Sequence, residues 1–353
     1  MGALVQRVIC SFVFAALLAH ADTVDDFVKE RMGTHQIPGA ALKIISNGQE
    51  EKSASYGLAN VELNVPVRPE SVFEIGSLTK QFTAACILIL QQEGKLSVED
   101  PIAKHLKDAP DEWSKITIRH LLTHTSGIKS YTGQSGFELT RRLTQAQFIK
   151  AVAALPPDFA PGEQAKYCNT GYNLLGFIIE NVSGTNYWSF LAKRIFAPLG
   201  ITTATNRDPM IVVPNRADGY VYKNGGFNNR DSDLTDVFSA GAIVMTIGDL
   251  AKWNASLDTE KLLTAASKLQ MWTPAKLNDG KETSYGFGWR IGTLDGHKNI
   301  GHSGSTSGFS ASLQRFPDEK LTVIVLCNSD EPNIATTMAK SIATSFFADK
   351  KAK

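Results

Sequence analysis

Phe73-Glu74-Ile75-Gly76-Ser77-Leu78-Thr79-Lys80-Gln81-Phe82, with the apolar run that continues to Leu90, decides how the chain folds. From Phe82 to Leu90 every residue except Thr83 is apolar, and Gly94 follows as a C-terminal cap. That pattern predicts a helix buried on all its faces in the middle of a domain, not one lying on a surface. At its N-terminal end, Ser77 and Lys80 stand one helical turn apart and share a face. A buried lysine loses part of its preference for the charged form and can take a proton near neutral pH. A serine at a helix N-terminus has backbone N–H groups and the positive end of the dipole beside it. This pairing is the serine–lysine arrangement of acyl-transfer enzymes. S-x-x-K is also short enough to recur by chance, so the rest of the chain has to supply its context.

The 353 residues can bury a sizeable core as one large domain or two ordinary ones. The 36 basic and 35 acidic residues nearly cancel, which gives no electrostatic case for nucleic acid or an anionic membrane surface. A 43% hydrophobic content rules out a disordered or low-complexity chain. At the N-terminus, Arg7 is the only charge before Asp22, and Val8 to Leu18 is apolar over the length of a signal h-region. Ala19-His20-Ala21 then matches a small-x-small cleavage pattern. Residues 1–21 are expected to be a cleaved secretory signal, which leaves residues 22–353 as one mature domain, secreted or periplasmic. The run is too short for a stable membrane span. Cys10 lies inside it without the small residues that lipidation would need. The remaining Cys86, Cys168 and Cys327 are odd in number, so in an oxidising compartment at least one thiol stays free.

Thr23 to Gln36 reads as a short amphipathic helix. Ala40 to Ser46 and Glu51 to Tyr56 read as strands joined through Asn47-Gly48, a strong hairpin signal. Helical patterns dominate from Leu96 to about Leu199, and Thr246 and Asp249 stand at capping-box spacing before another helix. Strand patterns return in Tyr285 to Ile291, Gly308 to Phe316 and Leu321 to Asn328, and a helix closes the chain from about Asn333 to Phe347. The expected fold class is α/β in the α+β sense. An antiparallel sheet is built from both chain ends and flanked by helices, an all-helical lobe is inserted between, and a cleft lies where they meet.

Two further stretches carry chemistry. Tyr167-Cys168-Asn169 follows a Pro-Gly-Glu turn and leads into a helix. The tyrosine either packs or reaches the cleft, where a neighbouring lysine would lower its phenol pKa and let it relay a proton. The asparagine either caps the helix or presents a donor and an acceptor to a substrate amide. His302-Ser303-Gly304-Ser305 lies near the C-terminal strands, where a small, glycine-containing edge would let a substrate backbone pair with it. His120 and His124 stand four apart like zinc ligands, but no glutamate follows His120. His124 sits in what looks like a structural turn, and no metal or cofactor is expected. The chain has no G-x-S-x-G elbow.

Ser77-Leu78-Thr79-Lys80, Tyr167-Cys168-Asn169 and His302-Ser303-Gly304, in that order, resemble the serine β-lactamase and penicillin-binding protein superfamily. The nearest branch is that of class C β-lactamases, D-alanyl-D-alanine carboxypeptidases and family VIII esterases. Supporting stretches at Ile118 to Ile128, Phe159 to Glu180 and Ala240 to Trp253 extend the resemblance over nearly the whole mature chain. The resemblance implies Ser77 as nucleophile, Lys80 as its general-base partner, Tyr167 as proton shuttle and Asn169 against the substrate's amide. It also implies an oxyanion hole from the backbone N–H groups of Ser77 and Ser305. Two positions depart from the pattern. His302 stands where many penicillin-recognising relatives carry lysine, so His302→Lys is expected to improve acylation by carboxylate-bearing lactams. Cys168 stands where a serine is common. The expected activity is hydrolysis of a small ester, amide or β-lactam through an acyl-enzyme, by an exported enzyme whose partner is a small-molecule or short peptide substrate. The alternatives are a β-lactamase proper, or a penicillin sensor that is acylated without turnover.

Overall fold

The computed structural model describes residues 23–135, 143–231 and 233–351. The expected signal segment, residues 1–21, lies outside the described residues.

Seven strands form one antiparallel sheet in the order β3-β2-β1-β12-β11-β10-β9. Its first three strands are β1 (Gly39–Ser46), β2 (Gln49–Asn60) and β3 (Val65–Pro66). Its last four are β9 (Arg290–Leu294), β10 (His297–Thr306), β11 (Phe309–Phe316) and β12 (Leu321–Cys327). The N- and C-terminal parts of the chain meet where β1 pairs with β12, Leu42 opposite Val325. The β1–β2 turn is Asn47-Gly48, both residues at positive φ (52° and 76°), the geometry that right-twisted strands favour in a two-residue hairpin.

The apolar run of β12 has a simple cause. Successive side chains point to opposite faces, and both faces are covered. Val323, Val325 and Cys327 pack on a helix at residues 23–34 (α1) and on the closing helix at Ile334–Lys351, while Ile324 and Leu326 join the larger core on the other side. At the centre of that larger core lies α2 (Thr79–Gln92), buried at every position from Thr79 to Leu90. Most of its polar side-chain atoms are bonded: the Thr83 hydroxyl donates to the Ser239 carbonyl (2.6 Å), and Gln81 Oε1 accepts from Trp253 Nε1 (2.9 Å), while Gln81 Nε2 is left without a partner. The polar atoms in this helix are therefore no contradiction to its burial.

The inserted lobe carries α3 (Ile118–Leu122), α4 (Gln145–Ala153) and α5 (Asn169–Ser183), followed by shorter helical pieces. It departs from expectation in not being all-helical. Val72–Glu74 (β4), Thr205–Asn206 (β5) and Ile243–Thr246 (β8) form a small sheet in the order β4-β8-β5, and Tyr220–Lys223 (β6) pairs with Gly226–Asn229 (β7). The β4–β8 pairing, Val72 opposite Thr246, is too distant in the chain to leave a local pattern, and β6 and β7 form a short hairpin around Asn224-Gly225. Two other boundaries move. Residues 285–289 form a loop closed by a single bridge from Tyr285 to Arg290, and the strand starts at Arg290. The helix at Ile247–Ser256 has only half a capping box. The Thr246 hydroxyl accepts from Asp249 N–H, but the Asp249 carboxylate accepts from the N–H groups of Thr202 and Thr203.

Candidate active site

The chain leaves β4 and turns at Gly76 (φ +51°) into a 3-10 turn, Gly76–Leu78, before α2 begins. Ser77 is the one partly exposed residue in a wholly buried stretch. The turn packs directly on β10. A Cβ on Gly76 would lie 2.8 Å from Ser305 N, and one on Gly304 would lie 1.9 Å from the Ile75 carbonyl oxygen and 3.1 Å from Ser77 N. Glycine is therefore required at both positions, and the backbone N–H groups of Ser77 and Ser305 lie on either side of this contact. Gly304 faces the serine turn, not a substrate, which corrects the reading of a glycine edge left open for a ligand. The open part of β10 is its outer edge beyond Gly301. There β9 ends its pairing, while Ser303 and Ser305 alternate with the inward His302 and Gly304.

Lys80 is fully buried, and its Nζ has three neighbours: Ser77 Oγ at 3.0 Å, Asn169 Oδ1 at 2.8 Å and the Ala240 carbonyl at 2.7 Å. No carboxylate is bonded to it among the described residues. Burial therefore dominates and holds its pKa well below the ordinary lysine value of 10.5, with the positive charge of Arg290 adding to the effect and the neighbourhood of Cys168 opposing it. A neutral amine fits the three contacts. It donates to Asn169 and Ala240 and turns its lone pair to the Ser77 hydroxyl, so it can accept the serine proton.

Asn169 begins α5, and its side chain makes two bonds inside the protein. Oδ1 accepts from Lys80, and Nδ2 donates to Thr132 Oγ1 at 3.1 Å. It orients the lysine, and the second Nδ2 hydrogen of this half-buried residue is the one left for the expected contact with a substrate amide. Cys168 points away from the site, its Sγ 3.1 Å from the Ile128 carbonyl. Cys86, Cys168 and Cys327 are all free and buried.

Tyr167 lies on the loop before α5, with Lys80 Nζ 4.7 Å from its ring centroid. Its phenol pKa is pushed up, the reverse of the expected fall; burial is the cause, partly opposed by a hydrogen bond with Ser77. The expectation failed because burial outweighs the lysine, which is itself driven towards neutrality and so offers little charge to hold a phenolate. The residue as a whole keeps 36% exposure, but the titrating oxygen is the end that meets Ser77, so its desolvation sets the direction. A phenol held protonated is a proton donor.

His302 is 1% exposed, with both ring nitrogens occupied: Nε2 meets the Tyr285 hydroxyl at 2.8 Å and Nδ1 meets the Ser303 carbonyl at 2.6 Å. With Nδ1–H donating to the carbonyl, Nε2 accepts from the tyrosine. Burial first, with the positive charge of Arg290 as a lesser cause, lowers its pKa to about 3. It neither carries charge nor reaches towards a ligand. The exposed cation of the site is Arg290, whose guanidinium lies 5.9 Å from the Tyr167 ring centroid and 6.0 Å from that of Tyr285. No carboxylate pairs with it among the described residues. Sequence reasoning placed Arg290 anonymously in a strand, and nothing in its local pattern marks it. His120 and His124 do not converge: His120 faces Thr117 at the start of α3, and the His124 ring packs among Tyr167, Tyr172 and Tyr285.

A nucleophile held against a desolvated lysine, on a helix behind an antiparallel sheet, defines a serine hydrolase. The chain belongs to the β-lactamase family: the Beta-lactamase family profile matches residues 24–344. Penicillin-binding protein 4* of Bacillus subtilis (strain 168) is 31% identical over 333 residues, covering 88% of this chain and 72% of the relative. Protein flp of Staphylococcus aureus (strain COL) is 28% identical over 315 residues, covering 86% of this chain and 62% of the relative's length. Among solved structures, an octameric penicillin-binding protein homologue from Pyrococcus abyssi superposes with a TM-score of 0.80 at 28% identity, over 93% of this chain and 77% of that one. A D-stereospecific amidohydrolase from Streptomyces sp. gives 0.71 at 26% identity, over 84% of this chain and 91% of that one.

Proposed function

We propose that this enzyme hydrolyses small esters or amides, D-amino-acid peptides among them, through an acyl-enzyme on Ser77. The observation that carries the reading is the Lys80 amine: buried, unpaired with any described carboxylate, and 3.0 Å from Ser77 Oγ. Lys80 takes the Ser77 proton as Oγ attacks the acyl carbon. Tyr167, protonated and hydrogen-bonded with Ser77, gives its proton to the leaving group and is recharged from Lys80. The N–H groups of Ser77 and Ser305 meet the oxyanion, and the open edge of β10 at Ser303 and Ser305 pairs with the substrate backbone. His302 is neutral and enclosed, so it does not replace the lysine of penicillin-recognising relatives; a substrate carboxylate would meet Arg290 instead. The names of the relatives, a penicillin-binding protein and a D-stereospecific amidohydrolase, fit acyl-D-amino-acid chemistry. Class C β-lactamase activity and stable acylation without turnover are the competing outcomes.

Ser77→Ala should abolish turnover of esters and lactams, and Lys80→Ala should nearly do so; unchanged hydrolysis by the serine variant would sink the proposal. Residues 1–21 are proposed to direct export to the periplasm or medium. N-terminal sequencing of protein from the producing cell should begin near Asp22, and an intact Met1 would contradict export by cleavage.

A further inference from the structure

We propose that His124 is a positioning residue that fixes Tyr167 for proton delivery to the leaving group. The proposal rests on the reading of Tyr167 given above. Residues 164–168 have no regular secondary structure, so something other than a helix or sheet ladder must hold the tyrosine in place. One residue grips it from both sides. The His124 carbonyl accepts from Lys166 N–H at 2.9 Å, and its ring Nδ1 accepts from Cys168 N–H at 3.1 Å. The imidazole then packs on the tyrosine itself, ring centroids 4.4 Å apart at 42°. His124 reaches all three because its backbone is left-handed (φ +62°), which turns its carbonyl and its ring towards the same loop.

The ring chemistry fits this role and no proton-transfer role. Accepting at Nδ1 leaves the proton on Nε2, a buried atom with no hydrogen-bond partner. Around it stand Tyr172 and Tyr285, at 5.2 Å and 4.5 Å from the imidazole centroid. Burial, with the positive charge of Arg290 as a lesser cause, keeps the ring neutral. Neutrality is what the Cys168 N–H needs, since an imidazolium would have a donor at Nδ1 and no acceptor. In acylation the Ser77 Oγ–acyl bond forms and the bond to the leaving group breaks. The serine proton goes to Lys80, Tyr167 gives its proton to the leaving atom, and Lys80 restores it. His124 exchanges nothing in these steps.

A purely structural role and a positioning role separate by leaving group. p-Nitrophenolate departs without a proton, whereas an alkoxide must be protonated. The experiment compares kcat/KM for a p-nitrophenyl ester and an alkyl ester of the same acid, per mole of folded protein measured by circular dichroism. Glycine accepts the left-handed backbone, so His124→Gly removes the ring without strain. It should lose roughly ten- to a hundredfold more on the alkyl ester than on the aryl ester, a part of the roughly 10²–10⁴-fold that a well-placed general acid supplies. His124→Asn, which tolerates positive φ and offers Oδ1 where Nδ1 stood, should recover most of that difference. His124→Ala carries the same comparison if the glycine variant does not fold. Equal losses on both esters, or no loss on either, would overturn the proposal. Aryl-ester turnover that survives Ser77→Ala would instead place the failure in the acyl-enzyme reading.

Discussion

Replacing His302 by lysine is the change that a comparison of motifs recommends, and the structure reverses its expected result. The imidazole is 1% exposed and accepts from the Tyr285 hydroxyl at 2.8 Å. A lysine there has three donors and no acceptor. The Tyr285 hydroxyl, on a residue 6% exposed, would lose its histidine acceptor and keep only Tyr172, at a cost of up to about 1–3 kcal/mol. The new ammonium would also lie in the pocket where burial already disfavours a positive charge on residue 302. A loss near 2 kcal/mol corresponds to a fall in Tm of roughly 3 °C for a chain of this size. The assay pairs a thermal melt with the rate of acylation by benzylpenicillin, followed by intact mass. The expected result is a lower Tm and acylation no faster than wild type. An unchanged Tm with faster acylation would show that residue 302 faces the ligand, and would refute the reasoning.

Arg290→Ala should lose about 1.5–3 kcal/mol of binding, roughly ten- to a hundredfold in kcat/KM, on substrates with a free carboxylate. Neutral esters of the same acyl group should be nearly unaffected; equal losses would remove Arg290 from carboxylate recognition. Lys80→Arg puts a permanent cation where a neutral amine stood and cannot accept the serine proton, so kcat/KM should fall by roughly 10²–10⁴. In the wild type the acid limb of the pH profile should lie well below 10.5, and a limb at the ordinary lysine value would contradict the neutral amine. His302 also sets a pH window for stability. Its folded pKa, about 3, lies below the ordinary 6.5, so between these values the unfolded chain binds the extra proton and stability falls as pH falls. Denaturant titrations should show wild type losing up to about 1.4 kcal/mol per pH unit more than His302→Gln in that window. Parallel curves would argue that the ring is solvated.

How much of this was legible beforehand depended on whether the cause was local. The buried α2 announced itself because all its faces are apolar, and the β1–β2 hairpin because Asn47-Gly48 supplies two positive φ values. The assembly of one sheet from both chain ends followed from where the strand patterns lay. By contrast, β10 is histidine-, serine- and glycine-rich with no apolar alternation. It is a strand because β9 and β11 flank it, and its glycines answer to the serine turn packed on it.

Among the site residues, the juxtaposition of Ser77 and Lys80 was readable from their spacing, and their distance agrees with it. The duties of Asn169, His302 and Arg290 were not, because each depends on partners far along the chain. Asn169 is tied to Thr132 and Lys80, His302 to Tyr285, and Arg290 stands over Tyr167. The direction of the Tyr167 pKa was misread for the same reason: proximity to a lysine lowers a phenol only if the lysine is charged. His124 was correctly seen as part of a turn, but nothing in the sequence tells which loop that turn grips.

The central claim is that Ser77 becomes acylated because a neutral Lys80 takes its proton. The most direct measurement is quenched-flow intact-mass spectrometry with a p-nitrophenyl ester, peptide-mapped, on wild type, Ser77→Ala and Lys80→Arg at neutral pH. The expected result is one acyl group per chain on the peptide carrying Ser77, absent from Ser77→Ala and strongly slowed in Lys80→Arg. An acyl group on another residue, or formation at the wild-type rate with arginine at position 80, would contradict it.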